Sequence, residues 1–370
     1  MNHTKQRNTN LELFRIITML LIIAHHYVVN SGLLQVAYES PTAGKSMFLL
    51  LFGAWGKIGI NCFVLITGYF MCKSELTAKK FAKLLLQVMF YRLVVNGVFW
   101  ITGYQPVNLT TLLRLFPVTT IADGFTAAFL VFMLCIPFLN VLVRNLKQKQ
   151  HIYLLLLMSF LYVFLGTVKT GFSVRMNYVS WFAVLYLFSS YVRLYPNALF
   201  DNTRVWGCLS LGSVLLSAAS VVVCAWLSTK VNKDLSYYFV VDSNTFLAFA
   251  TGFCGFMFFK NVKIPYNKFI NGVAATCFGV FLIHANSAHM RQWLWVDVLD
   301  NVGAYAHSWL PVHAVLSTVG VFVVCSALDW LRLRFVEKPF FRLWDKKWSG
   351  VAAKYQQLEE KICTKLKIEK

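Results

Sequence analysis

The stretch Leu11–Tyr27, LELFRIITMLLIIAHHY, decides how the rest of the chain is read. From Leu13 to Ala24 it is apolar apart from Arg15 and Thr18, and two histidines close it. A run of about 20 such residues spans a bilayer as a helix. Ionisable groups are costly at that depth and default to a functional role. Arg15 and His26 are eleven residues apart, which at about 100° per residue is only about 20° past three full turns, so they share one helix face. The rise between them is roughly 16 Å. Thr18, Met19 and Ile22 lie between them, and His25 points about 80° away from Arg15.

Working outward, the same texture fills the chain. Of its 370 residues, 58% are hydrophobic and 14% charged, whereas soluble domains are about 45–50% apolar and about 25% charged. A soluble enzyme with one anchor, a secreted disulfide scaffold and a disordered chain are all excluded. Apolar runs predict ten helical spans, at 13–30, 47–72, 84–102, 125–143, 151–168, 178–195, 205–228, 243–260, 269–289 and 309–331. The first ten residues, MNHTKQRNTN, lead into the first run without a small-residue cleavage site and do not read as a removable signal peptide. There is no 20-to-50-residue repeat. The expected organisation is one membrane-embedded domain over 1–340 and a short basic tail over 341–370.

The formal net charge of +20 invites a nucleic-acid reading, but a nucleic-acid binder gathers its cations on one folded face. Here they fall between apolar runs and alternate from loop to loop. Lys5, Arg7 and Arg15; Lys73, Lys79, Lys80 and Lys83; Arg144, Lys147 and Lys149; Arg193 and Arg204; Lys260, Lys263 and Lys268; and the run from Arg332 onward fall on one side. The other side has only Lys45, Arg114, Lys169, Arg175, Lys230, Lys233 and Arg291. Positive residues mark cytoplasmic loops, so an all-α polytopic protein of about ten spans with both termini cytoplasmic is expected. The basic tail is expected to lie against anionic lipid headgroups. Every cysteine, including Cys363, falls in a span or on the cytoplasmic side, so no disulfide framework is expected, and no Cys/His spacing suggests a metal.

Three further places carry chemistry. Lys57 and Asn61 are i and i+4 and are expected to share a face toward the cavity of His26. Lys79, Lys80 and Lys83 suit phosphate groups or mark topology. His284, toward the outer end of the ninth run, is a second embedded imidazole, whereas His289, His307 and His313 are expected near the outer surface. Asp329 and Glu337 stand among Arg332, Arg334 and Lys338, where local ion pairing is expected.

In these places the chain resembles the acyltransferase 3 family of integral membrane proteins. Arg15 and His26 match its Arg/Lys-x10-His signature. GKIGINCFVLITGYF (Gly56–Phe70) is similar to its glycine-rich stretch, GVFLIH (Gly279–His284) to its late Tyr-Leu-x-His helix, and FVEKPF (Phe335–Phe340) to its closing Glu-x-Pro. Asn61 stands where many members carry an acid, Thr67 replaces a serine, and lysines replace an arginine-rich loop. The resemblance implies a multi-pass protein of the cell membrane. It would move an acetyl or other small acyl group from cytoplasmic acyl-CoA, with no permanently bound cofactor, to a hydroxyl of an extracytoplasmic glycan or lipid-linked saccharide. It points to His26 as general base beside His25 and Arg15. It also points to Glu12, Lys79, Lys80 and Lys83 near the donor's anionic end, and to Lys57, Asn61, Tyr69 or His284 as acceptor or oxyanion groups. A protonated His26 is no base, so activity is expected to fall below about pH 6.5, the ordinary histidine value. The rival expectation is a transporter or flippase whose buried Arg15 and histidines line a path; many transporters consist of two repeated halves, which this sequence lacks.

Overall fold

The computed structural model describes residues 8–113, 115, 124–168, 170 and 176–347. Lys5, Arg7, Arg114, Lys169, Arg175 and the tail beyond Lys347, with Cys363, lie outside them. Each of the ten apolar runs is helical. The helices used below are α1 (Thr9–Val29), α2 (Gly44–Gly53), α3 (Gly56–Met71), α4 (Ala78–Ile101), α5 (Phe125–Asn145), α6 (Gln148–Thr167), α7 (Tyr178–Leu194), α8 (Thr203–Val231), α9 (Phe246–Asn261), α10 (Lys268–Ala274), α11 (Cys277–His284), α12 (Ala288–Val298) and α13 (Leu310–Lys347).

Among the described residues, seven stretches are long and apolar enough to cross a membrane, and eight if the pair bent by 97° at residues 285–287 is one span. The remaining two runs are shorter, α7 at 17 residues and α9 at 16. Sixteen residues rise about 24 Å, less than the roughly 30 Å hydrocarbon layer. Both pack against α3 in the middle of the bundle, where protein rather than lipid surrounds them. A helix in that position need not match the bilayer.

Polar contacts between loops sort the helix ends onto two faces. On the first, Asn10 donates to the Phe259 carbonyl (2.7 Å), Arg144 to the Cys72 carbonyl (3.2 Å) and Arg193 to the Tyr69 hydroxyl (2.8 Å), while Lys260 pairs with Asp201 (2.7 Å). On the opposite face, Lys45 donates to the Tyr305 carbonyl (2.8 Å), Tyr237 to the Leu50 carbonyl (2.9 Å) and Asn301 to the Tyr27 carbonyl (3.0 Å). The described segments expected to share a positive side therefore do share one face, called here the basic face.

The centre of the bundle is α2 and α3, with 72% of their apolar window buried, against 17% for α4 and 11% for α6. Trp181, Trp295, Tyr27, Tyr186, Phe132 and Phe182 are fully enclosed around them. Backbone ends inside such a body need partners, because no water reaches them. At the α2–α3 break the Gly53 carbonyl is taken by a histidine, described next. Elsewhere side chains cap the helices: Thr77 accepts from Lys80 N, Asn202 from Arg204 N and Asn267 from Ile270 N.

Candidate active site

The two embedded histidines that lie 258 residues apart in sequence meet in space. His26 Nδ1 is 3.0 Å from His284 Nε2, and His284 Nδ1 is 2.7 Å from the Val280 carbonyl of its own helix. A carbonyl only accepts, so His284 Nδ1 carries the proton and donates. Its Nε2 is then a lone pair, and His26 Nδ1 must donate to it. One tautomer follows for His26: Nε2 is left unprotonated, on the side of the ring away from His284. His284 is fully enclosed, whereas His26 is half-buried.

His25 does something different. Its Nδ1 donates to the Gly53 carbonyl at 2.5 Å and so satisfies the last carbonyl of α2 at the break. The ring lies so close to Gly56 that a Cβ there would collide with it. His25 and Gly56 together let α3 begin beside α1, a packing role rather than a chemical one.

Along the α1 face that holds Arg15 and His26 lies a small cavity of about 10 Å³, lined by Met19 and Ile22 of α1, Ile60 and Phe63 of α3, Phe125 of α5, and Phe278 and Phe281 of α11. Every lining side chain is apolar. Phe281 stands 6.2 Å from the His26 ring, and the Arg15 guanidinium lies 5.8 Å from the Phe63 centroid, so each polar group is next to a wall of the cavity. Arg15 pairs with Glu12 at 2.8 Å while its Nε has no partner.

The other expected site residues are elsewhere. Lys57 and Asn61 do share a face of α3, but it turns to α7: Lys57 donates to the Tyr178 hydroxyl (3.0 Å), and Asn61 accepts from Trp181 Nε1 (2.8 Å) while donating to the Ser243 (2.6 Å) and Ala248 (3.1 Å) carbonyls. The α1 side of α3 is instead given by Gly59, which lies against Ile22 and Thr18. Asn61 is thus spent on packing. Tyr69 is about 18 Å further along α3 than Lys57 and bonds Arg193 on the basic face, far from His26. Lys79 pairs with Asp345 (2.5 Å), Lys83 with Glu337 (2.5 Å), and Lys80 donates to Ser74 (2.8 Å). These lysines face the C-terminal helix, not the α1 stripe. Asp329 and Glu337, expected to form local ion pairs, are enclosed and share Arg332. His313, expected near the surface, bonds the Tyr27 hydroxyl at 2.8 Å.

Sequence reading missed the cavity's walls. Phe63, Phe125, Phe278 and Phe281 come from three helices, and in a chain with 33 phenylalanines no local signal separates a wall from ordinary core.

The architecture is that of a multi-pass helical membrane protein, with two embedded histidines in contact. A family model described as an acyltransferase domain matches residues 8–330, and the chain belongs to the acyltransferase 3 family. No curated protein and no solved structure matches it.

Proposed function

We propose that this acyltransferase takes an acetyl or other small acyl group from acyl-CoA at its basic, cytoplasmic face. It delivers the group to a hydroxyl of a cell-surface glycan or lipid-linked saccharide at the opposite face, with His26 as general base. The observation that carries this reading is the unprotonated Nε2 of His26 on the same face of α1 as Arg15, with a small apolar cavity along that face. At about 10 Å³ the cavity has room for about one water, so in this reading its apolar walls part to admit the pantetheine arm, which brings the thioester to His26 while the nucleotide end stays among the cations of the basic face. Arg15, with a free Nε, and Arg144 and Arg193, which bond a carbonyl and a hydroxyl, suit its phosphates.

The acceptor oxygen attacks the thioester carbonyl carbon as its proton passes to His26 Nε2. The resulting imidazolium keeps its Nδ1–H bond to His284, whose orientation is fixed by Val280. Lys57 would have to leave the Tyr178 hydroxyl to donate to the tetrahedral oxyanion. Collapse of that intermediate breaks the carbon–sulfur bond, and the proton on Nε2 moves to the departing thiolate. Products are the ester and coenzyme A, and His26 is restored.

Proteoliposomes loaded with radiolabelled acetyl-CoA, with surface glycan supplied outside, test the reading. Label in the outer glycan that depends on His26 is the expected result. Export of an intact solute with no ester formed would favour a transporter.

A further inference from the structure

A second cavity, of about 400 Å³, lies between α4 and the C-terminal part of α13, away from the first. Its walls are apolar: Leu86, Phe90 and Leu93 on one side and Val336 and Phe340 on the other. It exists because α4 stands off from the bundle, and Leu86, Leu93, Val336 and Phe340 all turn exposed surface toward it. Its floor is polar. Asp329 pairs with Arg332 (2.7 Å), Arg332 with Glu337 (2.5 Å) and Glu337 with Lys83 (2.5 Å), while Tyr91 donates to Asp329 at 2.7 Å.

Two features distinguish this groove from ordinary lipid-facing surface. First, Arg332 lines it and is enclosed, yet its Nη2 has no partner. An unsatisfied donor beside hydrocarbon is costly. Second, its length fits. Lys83 to Leu93 is about 15 Å along α4, the depth of one leaflet of a roughly 30 Å hydrocarbon layer. The groove therefore runs from the headgroup level to the midplane. Lys83 lines the groove at the headgroup level, and Lys79, one turn before it on α4, pairs with Asp345 of α13 (2.5 Å).

We propose that the groove between α4 and α13 binds one anionic glycerophospholipid from the leaflet at the basic face, with its phosphate between Lys83 and Arg332 and one acyl chain along Leu86, Phe90 and Leu93. A phosphate there accepts from the free Nη2 and from Lys83, and the chain covers an otherwise open apolar wall. Lipid here is a bound component, distinct from a diffuse layer held by the basic tail. The site is independent of acyl transfer, so an inactive His26→Ala protein binds the same lipid.

The test is native mass spectrometry of the full chain, delipidated and reconstituted with phosphatidylglycerol or phosphatidylcholine. Wild type is expected to retain one phosphatidylglycerol with at least tenfold preference over phosphatidylcholine. Leu93→Trp, at an exposed position that leaves the bundle intact, fills the groove and lowers retention of both at least tenfold. Lys83→Gln removes the preference while lipid is still retained. No preference in wild type, Leu93→Trp retaining lipid like wild type, or a saccharide-linked isoprenoid in the groove of the purified protein would overturn the assignment.

Discussion

Two polar clusters are enclosed in this helical body, and they are built on opposite principles. His26 and His284 are uncharged partners whose hydrogen bonds run in one direction, Nδ1 of His26 to Nε2 of His284 and Nδ1 of His284 to Val280, leaving one lone pair unused. Asp329, Arg332, Glu337 and Lys83 are all charged, and their carboxylates and cations are mostly consumed by each other. The first cluster lies against Phe281, a wall of the small apolar cavity; the second ties α13 to α4 and faces a groove. A neutral pair avoids most of the desolvation penalty that ions incur and keeps a group free to work. A compensated ionic set has little left for chemistry but fixes geometry, and Gly279 shows the fit: a Cβ there would strike the Asp329 carboxylate.

Breaking the clusters one residue at a time should give different kinds of loss. His26→Ala is expected to lower acyl transfer by about 10²–10⁴-fold, the usual contribution of a general base, while the thermal unfolding midpoint stays near that of wild type. Asp329→Ala should do the reverse. It strands Arg332 in an enclosed site, and breaking such a pair costs about 3–5 kcal/mol, seen as a lower unfolding midpoint with turnover per folded molecule largely kept. A catalytic collapse at full stability in Asp329→Ala would erase the contrast between the clusters.

Smaller changes sharpen it. His284→Ala removes the acceptor that selects the His26 tautomer and is expected to cost roughly tenfold to a hundredfold in kcat, with little change in KM for the donor. His284→Gln, which can still accept from His26 Nδ1, should recover part of that loss; recovery would separate orientation from simple packing. At the far end of α3, Tyr69→Phe deletes one hydrogen bond to Arg193 and should cost about 1 kcal/mol of stability without altering kcat. A large fall in kcat there would place Tyr69 in the reaction after all.

Much of this was readable in the chain, for a physical reason. Helical periodicity is local, so the Arg15–His26 stripe, the ten helical runs and the shared face of Lys57 and Asn61 follow from spacing alone. What spacing does not hold is which neighbour a face will meet. Asn61 turned to Trp181 because Gly59, not Asn61, gives α3 its close approach to α1. The His26–His284 contact joins helices at opposite ends of the sequence, and only packing brings them together. The loop lysines looked like phosphate ligands because their acidic partners, Glu337 and Asp345, lie more than 250 residues away. Span counting by length also falters at α7 and α9, since a helix ringed by protein is free to be short.

The central claim is that His26 Nε2 is the base for acyl transfer. Initial rates of acetyl-CoA-dependent esterification by reconstituted wild type and His26→Ala, at matched amounts of folded protein, test it most directly. The account predicts a loss of at least a hundredfold in the variant. Esterification at the wild-type rate by His26→Ala would contradict it.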